Sequence, residues 1–149
     1  MDIGSGNGYP SSSLSNFAGH RFVIDNVECN SMEGFLQSLK FKEPHIQIEV
    51  CKLVGKAAKF RGKHKKWYTK QTLYWLGIEY KRDSKGYQNL LNAAYNCMYE
   101  QSESFRKALL ASGDANLTHS MGKNDISKTV LTEREFCSRL KKLRENGKL

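Results

Sequence analysis

Apolar positions along the chain recur mostly in steps of three and four, with only short stretches of alternation, so helices should dominate and strands should be few. The clearest case is Met32, Phe35, Leu36 and Leu39, spaced i, i+3, i+4 and i+7 behind an N-capping Asn30. A second helix is predicted from about Pro44 to Phe60, since Pro suits a first turn and Val50, Val54 and Ala57 follow at helical spacing. Farther on, Ser84 can cap a helix with the face Tyr87, Leu91, Ala94, Tyr95 and Met98. A shorter helix holds Phe105, Ala108 and Leu109 until Ser112-Gly113 stops it. Thr132 with Glu135 makes a capping box for a last helix, buried through Phe136, Leu140 and Leu143. Alternation is confined to Phe22, Ile24, Val27 and Cys29, which surround Asp25-Asn26 as a short hairpin. Thr72 to Tyr80, aromatic and broken by Gly77, fits a strand, a bent loop or a short helix. Met1 to Ser13, rich in Gly and Ser and without an apolar period, reads as a flexible arm ahead of one domain spanning residues 14–149. The expected fold is α+β, mostly helical, with a small antiparallel sheet or hairpin.

Composition narrows the function classes. A chain of 149 residues with 39% hydrophobic content can bury a single core without disulfide or metal. No apolar run approaches the roughly 18 residues of a membrane span, and Met1 to Gly8 lacks the basic-then-apolar order of a secretory signal. Cys29, Cys51, Cys97 and Cys137 stand apart, with no C-x-x-C pair and no His at zinc spacing, so reduced thiols in a cytoplasmic setting are expected and no metal site.

Charge changes the picture more. Lys and Arg total 24 against 15 acids, a formal +9, which favours phosphorylated or polyanionic partners. Lys52, Lys56, Lys59, Arg61, Lys63, Lys65, Lys66 and Lys70 lie in one stretch without an acid, beside Trp67 and Tyr68. That stretch either cradles phosphates or is a solvated helix end and loop.

On the helix behind Asn30 a polar stripe, Glu33, Gln37 and Lys40, runs beside the apolar one at i, i+4 and i+7. A carboxylate, an amide and an ammonium in a row could wall a cleft. Glu33 could equally reach back to the Asn30 N–H as the second half of a capping box. The four histidines, His20, His45, His64 and His119, are scattered and fit solvated or capping roles.

Leu14-Ser15-Asn16-Phe17, followed after the hairpin by Ser31-Met32-Glu33, Gln37 and Lys40-Phe41, resembles the NADAR family, whose members open with L-S-N-F and continue with S-x-E-x-x-x-Q-x-x-K-F. Phe105 to Leu117 is similar to that family's L-R-x-x-L-L-x-T-G-x-x-x-L stretch, and Asp125 falls where the family places an acid. Two features depart from the pattern. Ile126 to Thr132 replaces the usual W-G-x-G, and Gly34 replaces a His or aromatic residue.

The resemblance implies a hydrolase that cleaves an N-glycosidic bond of an ADP-ribosyl or related ribosyl-phosphate substrate, removal of ADP-ribose from a nucleobase in DNA included. It needs no cofactor. Glu33 and Asp125 are then the catalytic candidates, and Asn16, Phe17, Gln37, Lys40 and Trp75 the substrate-binding ones, with Trp75 or Tyr74 as a stacking ring. Trp75 and Tyr74 equally suit core packing. The chemistry agrees with the residue types, because breaking a ribose C–N bond builds positive charge that a fixed carboxylate stabilises. The rival reading is a non-catalytic module that binds nucleic acid through Lys52 to Lys70 and the basic residues Arg134, Arg139, Lys141, Lys142 and Arg144, or that binds ADP-ribose without turnover.

Overall fold

A computed structural model describes residues 1–149. The short helix α1 (Ser11–Leu14) leads into a hairpin, β1 (Phe22–Ile24) paired antiparallel with β2 (Val27–Cys29). Asp25 and Asn26 both take positive φ, 50° and 65°, as a two-residue turn of this hand requires. Phe22, Ile24, Val27 and Cys29 face the core while Val23 and Glu28 face out, which is the alternation the sequence carries.

α2 (Met32–Ser38) follows. Its N-cap is Ser31, whose backbone is extended and whose Oγ accepts the Gly34 N–H at 3.0 Å. Asn30 does not cap; its side chain donates to the Lys52 carbonyl at 2.9 Å and its N–H to the Cys51 carbonyl at 2.9 Å. Ser31 Oγ also donates to the Leu53 carbonyl at 2.8 Å. These bonds occupy the carbonyls of Cys51, Lys52 and Leu53, and they explain why the helix expected from Pro44 to Phe60 is two helices. α3 (Pro44–Cys51) stops there, Val54 is extended, Gly55 adopts φ +58°, and α4 (Gly55–Gly62) starts in a new direction. Val54 and Ala57, expected to be buried, are exposed, and Ala58 and Gly62 turn inward instead.

After a 3₁₀ turn (Trp67–Thr69), the ambiguous aromatic segment forms a second hairpin, β3 (Thr72–Trp75) with β4 (Ile78–Lys81), closed by Leu76-Gly77 at positive φ. Then come α5 (Lys85–Gln101), α6 (Glu103–Ala111) and α7 (Glu133–Asn146), with the expected caps at Ser84 and Thr132 and the expected buried faces. About 47% of residues are helical and 11% are in strands, so the fold is α+β with helix predominating.

One continuous core runs from Ile3 to Leu143. Ile3 corrects the expectation of a flexible arm. It is fully buried, its N–H donates to the Thr118 carbonyl at 2.7 Å, and Asp2 accepts hydrogen bonds from the backbone and hydroxyl of Ser120. A glycine-rich segment is held here by one apolar anchor and one carboxylate, a signal too sparse for any periodicity to reveal.

Candidate active site

One face of α2, from Glu33 to Gln37, and the C-terminal end of α4 bound a cavity of about 450 Å³. Asn16, Phe17, Glu33, Gln37 and Lys40 all line it, so the L-S-N-F element and the polar stripe of α2 meet as one surface. The meeting has a backbone cause: the Glu33 N–H donates to the Asn16 carbonyl at 3.0 Å, stitching the loop after α1 onto the first turn of α2. Asn16 is also held at its side chain, where Oδ1 accepts from the buried Tyr95 hydroxyl at 2.8 Å. That bond orients the carboxamide so that its NH₂ group is the end left for a ligand.

Glu33 is not part of a capping box. Ser31 has taken that function, and Glu33 Oε2 instead accepts from Gln37 Nε2 at 2.7 Å. The other end of that amide lies flat on α4. Gln37 Oε1 is buried without a hydrogen-bond partner, and a Cβ on Gly62 would come within 2.0 Å of it. Glycine at 62 therefore lets the helices close on Gln37. Burial pushes the Glu33 carboxyl above the usual glutamate range, opposed by the Gln37 hydrogen bond and by Lys40, Lys59 and His119. Burial likewise lowers the Lys40 ammonium, with Glu33 opposing.

Glu33 is the sole carboxylate in the cavity wall, against Lys40, Lys59, Lys63, Lys123 and Lys128. The wall opposite α2 comes from His119 and from Lys128 to Thr132. His119 Nδ1 lies 2.7 Å from the Ile3 carbonyl, which can only accept, so that nitrogen carries a hydrogen. The segment standing where the NADAR pattern has W-G-x-G thus forms wall without supplying a ring.

Two candidates lie elsewhere. Trp75 is 2% exposed, packs edge-on against Phe35, and donates its indole N–H to Asp25 at 2.8 Å. It is a core residue, consistent with its place on a strand whose turn brings it under the first hairpin. Tyr74 faces a separate cleft. Asp125 is exposed outside the cavity and accepts from the Ser127 N–H and hydroxyl, bonds that lower its carboxyl. Sequence reasoning missed Lys59, Lys63 and His119 as wall residues. The Lys59, Lys63 spacing of i, i+4 beside Gly62 marked one face of α4, but its partner could be known only from the packing of α4 on α2.

A family model described as bacteriophage protein GP30.3 matches residues 8–145. An uncharacterized 17.1 kDa protein of enterobacteria phage T4, from the Gp30-rIII intergenic region, is 37% identical over 149 residues, covering 98% of this chain and 97% of its own. Among solved structures, the NMR structure of the E. coli protein YbiA, a NADAR-family protein, superposes with a TM-score of 0.64 at 18% identity, over 97% of this chain and 82% of that one. The shared fold is therefore NADAR-like.

Proposed function

The chain belongs to the bacteriophage protein GP30.3 family, and from that premise and the cavity we propose that it is an N-glycoside hydrolase acting on an ADP-ribosyl or related ribosyl-phosphate group, such as ADP-ribose on a nucleobase in DNA. The observation that carries the reading is Glu33: one carboxyl, raised by burial, held at one oxygen by Gln37, in a cavity otherwise rich in lysines. Phosphates suit the lysines, and ribose hydroxyls suit the amides of Asn16 and Gln37.

In this reaction the anomeric C–N bond lengthens and its electron pair leaves with the nitrogen. Positive charge then spreads over the ring oxygen and anomeric carbon, where the Glu33 carboxylate stabilises it. Water bonds to that carbon, its proton passes to Glu33, and the same proton can return to the departing nitrogen. A raised carboxyl suits both directions of transfer. With Asp125 outside the cavity, the chemistry rests on one carboxyl and not on a pair.

Glu33→Gln tests it. The purified protein is offered ADP-ribosylated DNA, ADP-ribosylated protein and a ribosylamino-pyrimidine phosphate, and products are separated by mass. Wild type should release the base or acceptor from one of them, and Glu33→Gln should be slower by about 100- to 1000-fold, the usual effect of removing one preorganised electrostatic group. Equal rates would remove Glu33 from the chemistry. Binding of the ribosyl group by both proteins with release by neither would make the cavity a receptor for that group.

A further inference from the structure

A second cleft, of about 220 Å³, opens on the far side of Lys40 and Trp67 from the Glu33 cavity, and those two residues belong to both walls. Its lining includes Lys40, Lys42, Lys65, Lys66 and Lys70 and no carboxylate. None of the five is within ion-pair distance of an acid anywhere in the protein, where the ion pairs are Arg82–Glu135, Lys107–Glu103 and Lys128–Asp125. Five lysines around one concave surface with no acid among them repel one another unless an anion sits there.

Thr69 and Thr72 donate their hydroxyls to the Lys66 and Lys70 carbonyls and so brace the loop that carries the lysines, and Tyr68, just outside the lining and edge-on to the buried Trp67, is a 49% exposed ring at the same turn. Phosphate-binding charge beside an exposed ring is the arrangement that single strands use, backbone on the lysines and a base on the ring. Lys40 lies in the turn just past the end of α2, and the helical steps from Glu33 to Ser38 alone span about 7–8 Å at 1.5 Å per residue, so the two sites are roughly 10 Å apart along the chain's path. At roughly 3.4 Å per nucleotide in a stacked strand, that is a span of a few nucleotides.

We propose that this cleft is a phosphodiester-binding site that holds the backbone of a single nucleic-acid strand, leaving a modified nucleotide of that strand in the Glu33 cavity. The second clause rests on the hydrolase reading; the first does not. Duplex is disfavoured as the occupant because only an unpaired base can stack on the Tyr68 ring.

The test measures binding of a labelled, unmodified single-stranded 12-mer by fluorescence anisotropy between 50 and 200 mM salt. Wild type is compared with the triple variant Lys65→Ala, Lys66→Ala, Lys70→Ala and with the triple Lys→Arg variant. The three lysines are exposed, so melting temperatures should agree. The alanine variant is expected to bind at least 10-fold more weakly at 50 mM salt. Its log K against log salt slope should also fall by about 2, from about 0.7 per lost phosphate contact. The arginine variant should bind like wild type.

Equal binding by wild type and the alanine variant would overturn the site, as would no binding by wild type at 50 mM salt. So would equal lysine-dependent affinity for the corresponding duplex or for polyglutamate. Because the probe carries no ribosyl modification, lysine-dependent binding with no turnover of any ribosyl substrate would sink the hydrolase reading and leave the cleft standing. Turnover with no strand binding would do the reverse.

Discussion

The Glu33 carboxyl titrates above the ordinary glutamate range because the cavity wall strips it of water, while Gln37, Lys40, Lys59 and His119 oppose the shift. A group of this kind leaves folding unaffected below its unfolded pKa, about 4.3, and weakens the folded state as pH rises through its higher folded value. Glu33→Gln keeps the volume and still accepts the Gln37 hydrogen bond at its amide oxygen, without a charge to desolvate. We expect the variant to be more stable than wild type at pH 7 and the difference to vanish below about pH 4, as read by urea denaturation at both values. A wild type that is the more stable at pH 7 would mean that the lysines outweigh burial. On the hydrolase reading stability is traded for a poised carboxyl, whereas loss of a cap only destabilises.

At the scale of elements, the site depends on how closely α2 approaches the end of α3. A Cβ on Gly34 would lie 2.7 Å from the Leu53 carbonyl oxygen and 3.0 Å from those of Cys51 and Val50, all backbone atoms that cannot move aside independently. Gly34 thereby accounts for one departure from the NADAR pattern: the helix that carries Glu33 is packed here against a chain turn instead of presenting a ring. Gly34→Ala should cost about 1–3 kcal/mol and lower Tm by several degrees, measurable by calorimetry. An unchanged Tm would show that the turn gives way.

The same contact explains what was and was not legible in the chain. Helices with a core-facing stripe, α2, α5, α6 and α7, follow from spacing, although the cap of α2 falls on Ser31 and not on Asn30. The break between α3 and α4 does not, because the Asn30 and Ser31 bonds that enforce it come from residues 22 positions earlier. The second hairpin lay hidden for a local reason, since Leu76 takes φ 48° where Gly or Asn would have announced the turn. Within the site, Asn16, Glu33, Gln37 and Lys40 were legible as motif and stripe. Trp75 was misplaced because its strand was ambiguous, and the burial of a strand residue cannot be read before its pairing is known.

Across the whole molecule, a buried ionic network connects the core to the cavity wall. Arg82, 1% exposed, holds Glu135 through two hydrogen bonds of 3.1 and 2.6 Å, and its Nε donates to the Thr129 carbonyl at 2.8 Å. Glu135 in turn accepts the Thr132 N–H and the Gln88 amide, and the buried Tyr87 hydroxyl donates to the Val130 carbonyl. The wall from Thr129 to Thr132 is thus suspended from α5, α7 and the residue just past β4 at once. Arg139 belongs to this structure as well; it is 7% exposed and bonded to Gln88, which removes it from the basic surface of the last helix that the binding-module reading requires.

Burial alone would raise the Glu135 carboxyl, but Arg82, the Thr132 N–H and Gln88 together hold it at about 2. With the unfolded value near 4.3 and part of the carboxyl still solvated, the network contributes on the order of 1–3 kcal/mol that is present above that pH and lost as pH falls toward 2. Arg82→Met removes the cation and leaves the carboxyl buried, so its folded pKa rises and the acid-side slope from this group disappears. The variant should be less stable than wild type by roughly 3–5 kcal/mol at pH 7, and the gap should narrow steadily below pH 4.5 as Glu135 takes up a proton more readily in the variant. Urea titrations at half-unit steps from pH 7 to pH 2.5 measure it. A gap that stays constant across that range would mean that Arg82 acts through the Thr129 carbonyl and its own packing, with its charge contributing nothing to the fold.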